Sequence, residues 1–116
     1  MMPVVLIIEP RREVAAALEA TIALANLTPI VVPHLERLTD IPYTLAAIVV
    51  RVTFETPNDP PHAAISRLPA NHPPVVAIAW EKDELDEARR LNCDVVLHAP
   101  HDINRLCQTL TKLIGV

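Results

Sequence analysis

The sequence of 116 residues contains a single glycine, Gly115, close to its end. Loops that bind phosphate groups through their backbone need several glycines, because only a residue without a side chain lets the backbone approach the ligand closely. A P-loop and a dinucleotide-binding fingerprint are therefore both excluded. Twelve prolines separate the segments of the chain instead.

Cysteine, net charge and long apolar runs are also scarce. The two cysteines, Cys93 and Cys107, have neither C-x-x-C spacing nor the number that a disulfide framework needs, which favours a cytoplasmic location. The net charge of −4 is spread along the chain and provides no basic surface for nucleic acid. No apolar run reaches the roughly 20 residues of a membrane span, and the segment 1–10 lacks the features of a secretion signal. We expect one cytoplasmic domain, 1–116, with neither nucleic acid nor a membrane as direct partner.

Five short apolar segments rich in β-branched residues predict five strands. They are PVVLIIE (3–9), PIVVP (29–33), LAAIVVRV (45–52), PPVVAIAW (73–80) and DVVLHAP (94–100). Helical patterns follow the strands and predict five helices, at 11–26, 34–41, 62–68, 81–92 and 101–114. Because the strands are continuously apolar rather than alternating, we expect a parallel sheet with helices on both faces.

This alternation, at this length, resembles the receiver domain of two-component response regulators. The resemblance covers residues 3–114 and rests on VVLIIEP, LAAIVVRV, PPVVAIAW and NCDVVLHAP, the last with its proline. It implies an α/β, doubly wound, flavodoxin-like fold with a five-stranded sheet of order 2-1-3-4-5. It also implies that the functional face lies at the carboxyl ends of the strands.

The resemblance can be carried to the positions of the family's phosphorylation site. In the family an acidic pair ends the first strand and holds Mg²⁺; here these positions are Glu9 and Pro10. The aspartate that accepts the phosphoryl group ends the third strand; here it is Arg51. The hydroxyl residue that ends the fourth strand is Ala79, and the lysine before the proline after the fifth strand is Ala99. The resemblance therefore implies a degenerate site with one surviving carboxylate.

Arginine at the acceptor position removes the family's chemistry. Phosphoryl transfer to a carboxylate needs the carboxylate as nucleophile and a hard cation held by oxygen ligands. A guanidinium remains protonated, supplies neither function and repels Mg²⁺. The sequence predicts a domain that is not phosphorylated on aspartate, is not an enzyme, and uses no cofactor or metal.

Three roles remain open for Arg51 on the sequence alone. It could pair with Glu9, or second with Glu55, because a buried arginine needs a partner. It could bind an anion together with His98 and perhaps His101. It could also be a relic that reaches solvent. Trp80, at the end of the fourth strand, could fill the space of the lost groups or anchor a partner.

The favoured function is a pseudo-receiver that acts through protein–protein interaction, with a protein partner or a fused output domain. By resemblance, a homodimer through the fourth helix, fifth strand and fifth helix is expected, with candidate interface residues Leu85, Arg89, Leu106 and Leu110. The alternative is an anion or small-ligand sensor using the Arg51 pocket. A phosphocarrier or enzyme ranks last, because EPRREV after the first strand offers neither a phosphate loop nor a cysteine.

Overall fold

All five predicted strands are present and form one parallel sheet. The structure, a computed structural model, describes residues 2–116. The strands are β1 (Val4–Ile8), β2 (Thr28–Val32), β3 (Leu45–Arg51), β4 (Val75–Ala79) and β5 (Val95–His98). Their order is β2-β1-β3-β4-β5, with every neighbouring pair parallel. The predicted architecture and strand order are confirmed.

The sheet separates two apolar cores, because the central strands bury side chains on both of their faces. Three α-helices cover it: α1 (Arg12–Ala23), α2 (Lys82–Arg90) and α3 (Leu106–Ile114). The core under α1 and α3 contains Leu18, Ile22, Leu106 and Leu110. The core on the other face contains Ala88 of α2. None of the helices within residues 2–116 is long and apolar enough to cross a membrane.

Two of the five predicted helices are not α-helices. The segment 34–41 forms only a three-residue 3-10 helix, Leu38–Asp40, and the segment 62–68 lies in a 3-10 helix, Pro61–Arg67. Prolines at both ends limit each segment to about two turns, and short segments adopt 3-10 geometry readily. The last predicted helix also begins with a 3-10 turn, Ile103–Arg105, before α3.

Asn26 and Asn92, the last residues of the predicted helices 11–26 and 81–92, follow the ends of α1 and α2. Asn26 has φ of 61° and Asn92 has φ of 59°, both in the left-handed region. A residue in that conformation at the end of a helix lets free backbone groups of the last turn find partners, and asparagine tolerates it better than most residues. Each helix therefore ends without the glycine that commonly occupies this position.

Two candidate interface residues do not lie on the surface. Leu106 and Leu110 are both fully buried, because the apolar side of α3 packs against the sheet. Leu85 is half-buried and Arg89 is exposed on α2. The assignment of Leu106 and Leu110 to an interface is therefore corrected: they hold α3 in place.

Candidate functional site

The carboxyl ends of three neighbouring strands bring Glu9, Arg51 and Trp80 together. Glu9 follows β1, Arg51 is the last residue of β3, and Trp80 follows β4. Ile8 of β1 is in register with Val50 of β3, and Arg51 is in register with Ile78 of β4. Because the strands are parallel, their ends lie at the same edge of the sheet, which is the edge predicted to carry the site.

Arg51 and Glu9 form a buried ion pair. Arg51 Nη1 donates to Glu9 Oε1 over 2.8 Å, and the two side chains are 8% and 1% exposed. The other carboxylate oxygen, Oε2, accepts from the backbone N–H of Arg11 at 3.1 Å. Each charge compensates the desolvation of the other, which a buried charge requires. The predicted pairing is therefore present, and both oxygens of Glu9 are occupied by protein donors.

The Arg51 guanidinium lies over the indole ring of Trp80. The central carbon of the guanidinium is 4.2 Å from the centre of the indole ring, within the range of a cation–π interaction. Trp80 is half-buried and also packs against the core beneath α1 and α3. The indole thus covers Arg51 and fills the space beside it, in agreement with the first of the two roles considered for this residue.

Glu55 connects the site to the start of α1. Its carboxylate accepts two hydrogen bonds from Arg11, from Nε at 3.1 Å and from Nη2 at 3.0 Å. Arg51 Nη2 lies 4.0 Å from Glu55 Oε1, too far for a hydrogen bond. Glu55 is therefore a secondary partner of Arg51 and mainly ties the loop after β3 to Arg11.

A cavity of about 310 Å³ opens beside this site. Its lining residues are Arg11, Val14, Arg51, Glu55, Trp80, Glu81 and Glu84. Glu84 Oε1 accepts from the backbone N–H groups of Trp80 at 3.0 Å and Glu81 at 2.9 Å, which fixes the turn into α2. Three carboxylates face two guanidinium groups here, so the cavity offers little attraction to an anion. Among the buried side-chain nitrogen and oxygen atoms of these lining residues, Arg51 Nε has no hydrogen-bond partner within residues 2–116.

His98 does not line this cavity, although the sequence grouped it with Arg51 as an anion ligand. Its ring nitrogen Nε2 lies 3.0 Å from the backbone oxygen of Trp80. Its backbone N–H donates to the carboxylate of Asp102 at 3.0 Å, and the His101 ring meets the His98 ring edge-on with centres 5.5 Å apart. His98 contacts the backbone oxygen of Trp80, whereas Arg51 contacts its indole ring, so the two predicted anion ligands do not line one cavity.

The other three positions that the resemblance aligned with the family's phosphorylation site are Pro10, Ala79 and Ala99, and they add no polar side chain here. Ala79 and Ala99 are almost fully buried, and Pro10 is half-buried. Within residues 2–116, no three His, Cys, Asp or Glu side chains are placed to hold a metal ion. Of the five positions carried over from the family's phosphorylation site, Glu9 supplies the one carboxylate, bound on both oxygens, and Arg51 the one permanent cation. The sequence missed the contribution of Arg11, whose only signal was its position directly after the first strand.

Comparisons with known proteins identify the fold. No family model matches the chain, and no curated protein matches it. Among solved structures, a sensor protein from Polaromonas sp. JS666 is similar with a TM-score of 0.76 at 22% identity, over 97% of this chain and 96% of that chain. A response regulator receiver protein from Burkholderia phymatum has a TM-score of 0.79 at 17% identity, over 98% and 96%. A response regulator receiver domain protein from Clostridium thermocellum has a TM-score of 0.80 at 10% identity, over 98% and 95%. The chain has the fold of response regulator receiver domains.

Proposed function

We propose that this chain is a receiver-like domain of two-component-type signalling that is not switched by aspartyl phosphorylation. It acts by binding another protein or a fused output domain, not by catalysis. The observation that carries the proposal is the buried pair of Arg51 and Glu9 at the carboxyl edge of the sheet. The similarity in fold to receiver domains supports the signalling setting.

Charge and occupancy both oppose phosphoryl transfer at this edge. A divalent cation needs free oxygen ligands, and both oxygens of Glu9 already accept hydrogen bonds. Arg51 also places a permanent positive charge 2.8 Å from the same carboxylate, which raises the electrostatic cost of bringing Mg²⁺ there. This supports a site without the nucleophile that the reaction requires and without a free Glu9 oxygen to bind its metal.

The same contacts favour one fixed arrangement of the functional face. Arg51 is held by Glu9 on one side and covered by Trp80 on another, and Arg11 binds the loop after β3 through Glu55. A switch needs two arrangements that a ligand or modification binds differently. We propose that the domain is constitutive and presents one surface to its partner.

A homodimer through α2, β5 and α3 is the proposed form of self-association. Beside the edge strand β5, a cavity of about 570 Å³ is lined by Arg105 and Lys112 of the segment containing α3, with Val95 and Leu113. The first turn of α2 carries acidic side chains, among them Asp83. A two-fold arrangement would place the acidic first turn of α2 of one protomer against the basic stripe of the other, which is formed by Arg105 and Lys112. Of the residues predicted for this interface, Leu85 and Arg89 remain candidates.

The proposed cytoplasmic setting agrees with the state of the cysteines. Cys93 and Cys107 are free thiols. Burial, with a smaller contribution from Asp94, raises the pKa of Cys93 to about 11. A thiol with a raised pKa remains protonated at neutral pH and is a poor partner for disulfide exchange.

A titration followed by two-dimensional NMR tests the central claim. The ¹⁵N-labelled domain receives beryllofluoride with Mg²⁺, then acetyl phosphate with Mg²⁺, while a phosphorylatable receiver domain serves as positive control. We expect no shifts at the amides of Glu9, Arg51 and Ala79 beyond those from matched salt, and no added phosphate by intact mass. Shifts that cluster there and require Mg²⁺ would overturn the proposal. Shifts there with phosphate alone would favour the anion-sensor alternative.

Sedimentation velocity over a range of protein concentrations tests the dimer separately. We expect a concentration-dependent dimer that Lys112→Glu weakens, because the substitution reverses one charge of the basic stripe. The exposed Arg12→Glu on α1 is the matched control and leaves association unchanged. A monomer at all concentrations would leave a heterologous partner or a fused domain as the occupant of this surface.

A further inference from the structure

A separate cavity of about 360 Å³ contains two arginines and no carboxylate. Its lining residues are Arg37, Leu38, Thr39, Arg67 and Pro69. They come from the 3-10 helix Leu38–Asp40 with the residue before it, and from the end of the 3-10 helix Pro61–Arg67. None of these residues belongs to the Arg51 site, so the proposed function leaves this cavity unexplained.

Arg67 is held in place by a backbone oxygen of the opposite wall. Its Nη2 donates to the carbonyl of Leu35 at 3.2 Å. Leu35 is itself buried in the core, so this bond positions the guanidinium against the segment that carries Arg37. The nearest acid, Asp59, lies 3.9 Å from Nη2 and forms no hydrogen bond at that distance. Arg67 therefore keeps donors that the protein does not use.

Arg37 has even more donor capacity left over. Its Nε lies 3.9 Å from Asp40 Oδ1, again beyond hydrogen-bond distance. The other oxygen of Asp40 accepts from the backbone N–H of Arg37 at 3.2 Å, so this carboxylate is committed to the backbone. The Arg37 side chain is exposed at the mouth of the cavity. Arg37 and Arg67 therefore line one cavity, and each forms an ion pair of 3.9 Å that leaves N–H groups of its guanidinium without a hydrogen bond.

We propose that Arg37 and Arg67 form a binding site for a phosphate monoester group, with the hydroxyl of Thr39 as a further donor. The planar fork of a guanidinium matches two phosphate oxygens, and a dianion can replace the 3.9 Å ion pairs with Asp40 and Asp59 by shorter hydrogen bonds to both arginines. A singly charged carboxylate has less charge with which to compete against Asp40 and Asp59, so the dianion is the preferred ligand.

The first test is an NMR titration with inorganic phosphate and with phenyl phosphate at constant ionic strength, using sodium chloride as the blank. We expect saturable shifts confined to residues near 37–40 and 67–69. They should be larger at pH 7.5 than at pH 5, because the second phosphate pKa is about 6. Shifts that do not saturate, that sodium chloride reproduces, or that appear at Glu9 and Arg51 instead would overturn the inference.

Substitutions separate binding from folding. Arg37→Gln removes a guanidinium that holds no part of the fold, and we expect it to weaken phosphate binding roughly tenfold, as the loss of one charge-assisted contact implies. Arg67→Lys keeps the charge but loses the fork and should also weaken binding. The matched control is Arg12→Gln, an exposed arginine on α1 that lines neither this cavity nor the proposed interface. Unchanged affinity in Arg37→Gln would overturn the inference, whether or not Arg67→Lys folds.

A last comparison distinguishes two sources of the phosphate group. A peptide with one phosphoserine and its unphosphorylated form are titrated beside inorganic phosphate. Tighter binding of the phosphopeptide, absent for the unphosphorylated peptide, would identify a phosphorylated protein as the ligand. Equal affinity for phosphopeptide and inorganic phosphate would identify a small phosphorylated molecule. Equal binding of the two peptides would contradict a phosphate site.

Discussion

Arg51 and Glu9 join β3 to β1 through a hydrogen bond of 2.8 Å between Nη1 and Oε1, at a depth where neither side chain has appreciable contact with solvent. The same guanidinium lies over the indole ring of Trp80, which follows β4. One cation thus connects the ends of three neighbouring strands. Because this guanidinium is buried, removing any one of its partners should lower the free energy of unfolding of the domain.

Replacing Glu9 with alanine should therefore destabilise the domain strongly. The substitution leaves Arg51 buried without its counter-ion, and breaking a buried pair in this way costs about 3–5 kcal/mol. Urea denaturation followed by the fluorescence of Trp80, the only tryptophan, measures the free energy of unfolding. Arg11→Gln is the control, since it breaks an exposed pair with Glu55 worth about 1 kcal/mol or less. Equal losses in the two variants would contradict a structural role for the buried pair.

Replacing Arg51 with aspartate should create affinity for Mg²⁺. The new carboxylate would lie beside Glu9, and two like charges so close raise the free energy of the folded state unless a cation binds between them. Thermal unfolding with and without Mg²⁺ tests this. At a Mg²⁺ concentration ten times the dissociation constant, the variant gains roughly 1.4 kcal/mol. Arg51→Ala, which removes the cation without adding an acid, is the control. Equal Mg²⁺ effects in both variants would show that the new carboxylate contributes nothing to Mg²⁺ binding.

The sequence allowed the strands, and the residues at their ends, to be predicted better than the packing of side chains. Continuous apolar runs indicated a parallel sheet, and the family resemblance supplied its order. Because ends of neighbouring parallel strands meet, strand positions made Glu9 the first candidate partner of Arg51, beside the other two roles that the sequence left open. The contact of Arg51 with Trp80 and the backbone bond from Arg11 to Glu9 had no such signal, since they depend on rotamers and on the path of a loop.

The predictions that required correction failed where a local sequence pattern fits more than one structure. Leu106 and Leu110 recur at helical spacing, and such a stripe does not distinguish a helix face packed on its own sheet from one packed on a partner. The helices expected at 34–41 and 62–68 had helical composition, but prolines at their ends left too few residues for a stable α-helix. The approach of Arg67 to Leu35 depends on these two short segments and had no sequence signal.

Trp80 should stabilise the domain through its ring face as well as its volume. Trp80→Leu keeps an apolar side chain but removes the cation–π interaction with Arg51, worth about 0.5–2 kcal/mol. Trp80→Phe retains an aromatic face and should lose less. Since both variants lack tryptophan, circular dichroism in urea is the appropriate measurement. In an Arg51→Met background the difference between the two variants should largely vanish; an unchanged difference would assign the effect to packing alone.

His62 should make the domain less stable in mild acid. It is buried, meets the Phe54 ring edge-on with centres 5.8 Å apart, and its Nδ1 has no hydrogen-bond partner within residues 2–116. Burial lowers the pKa of His62 below its usual value of 6.5, partly opposed by the charges of Glu87 and Glu84. The unfolded chain therefore binds the proton more readily than the folded one, so the free energy of unfolding falls as the pH drops below about 6.5.

Urea denaturation at pH 7.5 and pH 5.5 measures this dependence. The loss of stability between the two pH values should be smaller in His62→Leu than in the unsubstituted protein, because leucine has no proton to bind. His34→Gln, which removes an exposed histidine, should keep the full loss. If His62→Leu and the unsubstituted protein lost equal stability, the acid sensitivity would have to come from other groups. A gain in stability at pH 5.5 that disappears in His62→Leu would mean that Glu84 and Glu87 outweigh burial and that the pKa of His62 is raised.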